Sequence, residues 1–144
     1  MALFHFHVTQ VKRSAGQSAV ACVAYRAGEK LFSEYYGEVS DYTRKGGVVC
    51  TDIILPPKAP AEYRDRATLW NAVEKAERGK KAQLAYSFDI ALQNEFSMEE
   101  NIALARPMSS TYRQKRLKRR YLQSLHISRC ETCTNSGQEK GKVA

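Results

Sequence analysis

Tyr25 stands near the end of a run of small residues, Ser18 to Ala27, with Arg26 beside it and the basic loop Arg13-Ser14-Ala15-Gly16 just upstream. A phenol set among guanidinium groups could attack or hold a phosphate, or it could pack as a second core contact of a small-residue helix. His5 and His7 are two apart, so on a strand both imidazoles share a side and could share a metal. Two ligands are fewer than a stable divalent site wants, which favours a structural or supporting role. Glu74 and Glu77 lie on the Trp70 side of a later helical segment, as metal-assisting carboxylates or as a solvated face. Toward the end, six of the eight residues from Arg113 to Arg120 are basic, among them Lys115, Arg116, Lys118, Arg119 and Arg120. That density binds phosphate backbones without sequence choice. Tyr112 and Tyr121 flank the run and could stack on bases. Cys130 and Cys133, with His126 upstream, make half of a zinc-site spacing at most.

These groups need elements to carry them. Phe4, Phe6 and Val8 alternate with His5, His7 and Thr9, which predicts a strand over Leu3 to Val11 with the phenylalanines and valine buried. Ser18 to Ala27 predicts a tightly packed helix closed by Gly28. At 100° per residue Val20, Val23, Ala24 and Ala27 fall within about 100° of arc, and Tyr25 points away, on the side of Ser18 and Cys22. The β-branched run Val48 to Leu55, closed by Pro56-Pro57, predicts a strand. Arg66 to Arg78 predicts a helix with Leu69, Ala72, Val73 and Ala76 on its buried face. Leu84 to Leu92 predicts a strand with Tyr86, Phe88, Ile90 and Leu92 on one side, and Ser97 with Glu100 forms a capping box opening a helix toward Arg106. The alternation suits a layered α/β (α+β) domain, with strand direction left open.

The chain has 144 residues, 43% apolar and 26% charged, enough for one compact domain. Composition excludes collagen, coiled coil and wholesale disorder. No apolar run reaches membrane-spanning length and the start lacks a signal-peptide pattern, so a cytoplasmic location is expected, with the four cysteines as free thiols. Charge divides the chain. Residues 1–105 carry 13 basic and 13 acidic residues, whereas residues 106–144 carry 10 basic residues against Glu131 and Glu139.

The stretch Phe4-His5-Phe6-His7-Val8, followed by Arg13-Ser14-Ala15-Gly16-Gln17-Ser18-Ala19-Val20-Ala21-Cys22-Val23-Ala24-Tyr25-Arg26-Ala27-Gly28-Glu29, resembles the N-terminal motif of the MobA/MobL plasmid mobilisation relaxases. Gly47-Val48-Val49, Ile53-Ile54-Leu55-Pro56, Leu69-Trp70-Asn71-Ala72-Val73-Glu74 and Ala82-Gln83-Leu84-Ala85 follow in the family's order, so the match runs from about Ala2 to Arg106. The resemblance implies a DNA strand-transferase of the HUH endonuclease group. In such enzymes a tyrosine, matched here by Tyr25, attacks single-stranded DNA at the origin of transfer and leaves a 5′-phosphotyrosyl link and a free 3′-hydroxyl. Arg13, Ser18 and Arg26 would meet the DNA. A phenol is a poor nucleophile at neutral pH, and the family's help is a divalent cation, Mg or Mn, held mainly by histidines. Other mobilisation proteins are further expected partners.

One departure bears on activity. The family's His-hydrophobic-His strand, reached after the helix that begins near Ser97, has no counterpart in sequence. Pro107 is expected to stop that helix. The expectations are therefore an N-terminal relaxase segment over 1–106, an HUH-like sheet lacking the later metal-binding strand, and a non-family basic tail over 107–144, disordered from Thr134. Two functions follow: a relaxase segment inactive alone and without bound metal, or a DNA-binding remnant without chemistry.

Overall fold

The computed structural model describes residues 6–55, 57–93, 95–116, 123–129 and 141–143. Among these the chain runs β1 (Phe6–Lys12), α1 (Ala19–Ala27), β2 (Lys30–Ser33), β3 (Glu38–Asp41), β4 (Val48–Ile54), α2 (Arg66–Ala76), β5 (Gln83–Ala91), α3 (Met98–Arg116), β6 (Gln123–Arg129) and β7 (Gly141–Val143). The main sheet has the order β1-β5-β7-β6-β4, and each of its pairings is antiparallel. A separate β2–β3 hairpin follows α1 directly. The architecture is α+β with an antiparallel sheet, which settles the strand direction that connection lengths left open.

Helices cover the sheet unequally. On one face Val20, Val23 and Ala24 of α1 and Leu69 and Trp70 of α2 form the core with Val11, Leu31 and Leu84. On the other, Ala105 of α3 is buried against Cys50, Leu92 and Ile102. The β1–β5 end of that second face stays open: Phe6, Val8 and Tyr86 are 38%, 42% and 39% exposed. The expected burial of Phe6 and Val8 is thus corrected. Alternation fixes which residues share a side, but β1 is an edge strand, so Phe6 and Val8 share a side without being buried.

Three further expectations fail at the tail. Helix α3 continues through Pro107 to Arg116. A proline removes one helical hydrogen bond, and the packing of Ala105 against the sheet, together with the contact of α3 with β6, offsets that loss. The sheet is also not missing its inner strands, because β6 and β7, both from beyond Arg106, stand between β5 and β4. Ser124, His126 and Ser128 alternating with Leu125 and Ile127 carry the strand signal, which the preceding basic run obscures. Gly141–Val143 pairs with β5 and β6, so the expected disorder does not hold for those residues.

Candidate functional site

Helix α1 is built to present Tyr25. Ser18 caps its start, its Oγ accepting from the Ala21 N–H at 3.1 Å, and Gly28 ends it in the left-handed conformation at φ 65°. Ala19, Val20, Val23, Ala24 and Ala27 are buried, and Tyr25, on the opposite side, is 53% exposed. The outward phenol expected from helical rotation is what the fold delivers. Its ring meets Tyr42 edge-on, with centroids 5.3 Å apart and planes at 86°. Lys45 places Nζ 3.7 Å from the Tyr25 ring centroid and donates to the Tyr25 carbonyl oxygen at 2.9 Å.

The loop that brings Tyr42 and Lys45 to the helix is held at several points. The Tyr42 N–H donates to the Glu29 carbonyl at 3.2 Å, and the Lys45 N–H to the Tyr42 carbonyl at 2.9 Å. Thr43 donates to Asp41 Oδ1 through its N–H and its hydroxyl, at 3.1 and 2.7 Å. Those bonds, the hydroxyl's first, hold the Asp41 carboxyl below the usual carboxylate range. Gly28 is packed against the same region: a Cβ there would press on Val48 Cγ2 at 3.3 Å and make ordinary contact with the Lys45 and Tyr42 carbonyl oxygens at 3.6 and 3.7 Å.

Arg26 turns toward the sheet and pairs with Asp89 on β5, Nη1 to Oδ1 at 2.8 Å, with both side chains about a quarter exposed. Asp89 is the cross-strand partner of His7, so His7, Asp89 and Arg26 lie on the sheet face that α1 covers. Cys22, one turn before Arg26, has its thiol pushed up by burial, with Arg26 opposing the shift and Glu74 adding to it.

Three candidates from the sequence hold the fold together. Arg13 is 8% exposed, and its guanidinium donates to the Glu74 carbonyl at 2.7 Å and to the Glu77 carbonyl, with Gly79 O at 3.5 Å. It is a cation on the C-terminal carbonyls of α2, stacked over the Tyr35 ring at 4.0 Å, and is not offered to a DNA strand. Ser18 is occupied as the α1 cap and donates to Glu74 Oε1 at 2.7 Å. Glu74 is 1% exposed: Oε1 also accepts from the Val20 N–H at 3.2 Å, and Oε2 accepts from Ser33 Oγ at 2.7 Å. Neither the solvated-face nor the metal-assisting reading of Glu74 survives. Its carboxylate is a buried anchor at the N-terminus of α1, where helix polarity favours negative charge.

The expected apolar face of α2 is corrected with it. Arg66, Leu69, Trp70, Asn71 and Glu74 are buried, while Ala76 is exposed. The polar members can turn inward because each has partners. Asn71 accepts from the Glu34 N–H and donates to the Phe32 and Ala67 carbonyls, and Arg66 pairs with Glu29. Glu77 is an exposed residue just past the end of α2.

His7 is exposed on β1, and among the described residues no three His, Cys, Asp or Glu side chains gather to hold a metal. Asp89, the acid across from His7, accepts from Arg26 through Oδ1. His126 lies in β6 with Thr51 as its register partner. His5, Lys118, Arg119, Arg120, Cys130 and Cys133 lie outside the described residues, and Lys115 and Arg116 fall in the last turn of α3, where the backbone alone is described. Tyr42, Lys45 and Asp89 escape sequence reasoning. They lie 17, 20 and 63 positions from the residues they touch on α1, and no helical or strand period links them.

Comparison with known proteins places this arrangement in a group. The MobA/MobL family model matches residues 17–119, a span that includes α1 and continues past Arg106. The chain is 43% identical over 105 residues to the mobilization protein MobL of Acidithiobacillus ferridurans, covering 73% of this chain and 27% of that protein. It is 39% identical over 102 residues to the probable mobilization protein MobA of Bifidobacterium longum, covering 71% of this chain and 18% of that one. The conjugal transfer protein TraA of Rhizobium radiobacter is 40% identical over 116 residues, covering 74% of this chain and 10% of that protein. The chain therefore spans between a tenth and about a quarter of the length of these relatives. A solved structure from work on the molecular basis of vancomycin resistance transfer in Staphylococcus aureus superposes with a TM-score of 0.79 at 27% identity, over 99% of this chain and 69% of that one.

Proposed function

The chain belongs to the MobA/MobL family, and on that footing we propose that it is a DNA-nicking segment of a plasmid mobilisation relaxase in which Tyr25 is the nucleophile. The observation that carries this reading is the exposed Tyr25 phenol on a rigid, doubly capped helix, in a family whose relatives bear mobilisation and conjugal-transfer names. In the proposed step the Tyr25 oxygen attacks phosphorus in a phosphodiester of single-stranded DNA at the origin of transfer. A 5′-phosphotyrosyl bond forms, the P–O3′ bond breaks, and the 3′ oxygen leaves as a hydroxyl, taking up a proton in place of the one the phenol gives up. The Arg26–Asp89 pair fixes the far side of the helix and leaves the phenol facing solvent.

A divalent cation, Mg or Mn, supplies charge neutralisation at the phosphate in the intact family, and we propose that this chain by itself does not hold one. The support is compositional: the three histidines are His5, His7 and His126, and a single one of them follows α3. That count also favours the second reading, a DNA-binding remnant without chemistry that uses its basic segment, including Lys115, Arg116, Lys118, Arg119 and Arg120. Other mobilisation proteins are proposed as partners and the cytoplasm as location. Among the described residues no helix is long and apolar enough to cross a membrane.

A chimera tests the nucleophile. Residues 1–106 replace the matching segment of the MobL relative, and covalent protein–oligonucleotide product is measured on that relative's origin DNA with Mn²⁺. Product is expected, with a loss of at least about 100-fold in Tyr25→Phe. Product that survives Tyr25→Phe rejects the assignment, and product from the unaltered 144-residue chain rejects its inactivity alone. For the second reading, gel shifts of single-stranded DNA should persist in Tyr25→Phe. They should weaken when Lys115, Arg116, Lys118, Arg119 and Arg120 are all changed to Gln, with affinity falling steeply between about 50 and 200 mM salt.

A further inference from the structure

We propose that the cleft between the end of α1, β4 and the start of α2 holds one guanine base of single-stranded DNA; the inference rests on the reading above that the chain handles such DNA. The cleft has a volume of about 670 Å³, and its lining includes Glu29, Asp52, Ile53, Arg64, Asp65 and Arg66. That volume lies within the roughly 300–1,000 Å³ usual for sites that enclose a small molecule. Three carboxylates and two guanidiniums line it, so the cleft carries net negative charge and does not suit a bare phosphate. A heterocycle with donors on one edge and acceptors on another meets both kinds of group. Guanine is the base that uses both. Its N1–H and N2 amino group donate side by side, as a carboxylate accepts, and its O6 and N7 accept side by side, as a guanidinium donates.

The lining groups are held by bonds that leave them capacity for a ligand. Arg66 is buried and pairs with Glu29 Oε1. Asp65 accepts from the Thr68 hydroxyl and N–H through Oδ2, and those bonds hold its carboxyl below the usual carboxylate range. Glu29 Oε2 and Asp65 Oδ1 have no hydrogen bond among the described residues. Arg64 is exposed beside Asp65, and its guanidinium has no partner among the described residues. Glu29 and Asp65 therefore supply acceptors and Arg64 the donors, with Ile53 as an apolar wall. Two element ends bring them together, since Glu29 follows the Gly28 that closes α1 and Asp65 caps α2. The competing account is that these charges only tie α1 to α2, as Arg66 and Glu29 do.

Base identity separates the two accounts in the 144-residue chain. Binding is measured for a fluorescent oligothymidylate of about 12 nucleotides and for the same strand with its central thymine replaced by guanine, hypoxanthine or 7-deazaguanine. Hypoxanthine lacks the N2 amino group and 7-deazaguanine lacks N7. The basic segment attracts every strand alike, so the ratio of affinities reports the base. The proposal expects guanine to bind about tenfold tighter than thymine, both analogues to lose most of that gain, and Arg64→Met and Asp65→Asn to bring the ratio near one. Asparagine still caps a helix, and the thermal midpoint of each variant shows whether it folds. Equal affinity for guanine and thymine in the parent overturns the proposal, as does a gain that both analogues keep or a parent-like ratio in either variant. The nucleophile is judged separately, on the covalent product of the chimera. Guanine preference without that product keeps the cleft and removes Tyr25, whereas product without the preference removes the cleft alone.

Discussion

Single side chains in this protein are defined by how completely their polar atoms are partnered. Glu74 accepts from two serine hydroxyls and one backbone N–H while 1% exposed, so it joins α1, α2 and β2 through one carboxylate. Removing it leaves donors buried and unpaired. Glu74→Ala is expected to cost about 3 kcal/mol in urea denaturation, several times the cost of Glu77→Ala at its exposed neighbour site. Cys22 gives a chemical prediction at the same scale. Burial raises its thiol above the ordinary value of 9.0 despite Arg26. In a variant with Cys50, Cys130 and Cys133 changed to Ser, alkylation of Cys22 at pH 8 should run at least about tenfold slower than that of an unstructured cysteine peptide. Reaction at the peptide's rate would show the thiol to be neither buried nor raised.

Elements are limited by residues at their ends. Asp65 caps α2 by accepting from the Thr68 hydroxyl at 2.7 Å and the Thr68 N–H at 2.9 Å. These bonds, the hydroxyl's first, hold its carboxyl below the ordinary 3.8. A depressed carboxylate stabilises the fold above its ordinary value and loses that contribution as pH falls through the lower folded value. Asp65→Ala should therefore cost about 1 kcal/mol at pH 7, with the gap from the parent closing as pH drops below about 4. A gap that does not change between pH 7 and pH 3 would assign the cap to geometry without charge. Gly28 joins two elements: φ of 65° closes α1, and the absent Cβ leaves room for Val48 of β4, whose Cγ2 it would meet at 3.3 Å. Glycine in a helical pattern signals the first role in sequence, whereas the second depends on a strand 20 residues further on.

At the scale of the whole molecule, cover and exposure are decided by where helices land on the sheet. Val11 is 7% exposed beneath α1, whereas Val8 on the same strand is 42% exposed on the open side. Denaturation should separate them: Val11→Ala is expected to cost about 2 kcal/mol and Val8→Thr less than about 0.5 kcal/mol. Comparable costs would mean that the second face is covered in solution. The basic excess after residue 105 marks a change of composition, yet α3 crosses that point without interruption and β6 and β7 complete the sheet beyond it. Charge balance is a surface property and strand pairing a backbone one, so a chain can switch the first and continue the second.

The amino-acid order was not sufficient for the β2–β3 hairpin but was for β1, β4 and β5, the helix that carries Tyr25 and the outward direction of its phenol. Each of these follows from a local period of apolar residues and from caps within a few positions. Folding alone turned the polar side of α2 inward, committed Arg13 and Ser18 to the scaffold, and laid Lys45 against Tyr25. Buried polar groups must find hydrogen-bond partners, and the pairs Arg13–Glu74, Ser18–Glu74, Ser33–Glu74 and Arg26–Asp89 lie 41 to 63 residues apart, a distance at which no periodicity carries information.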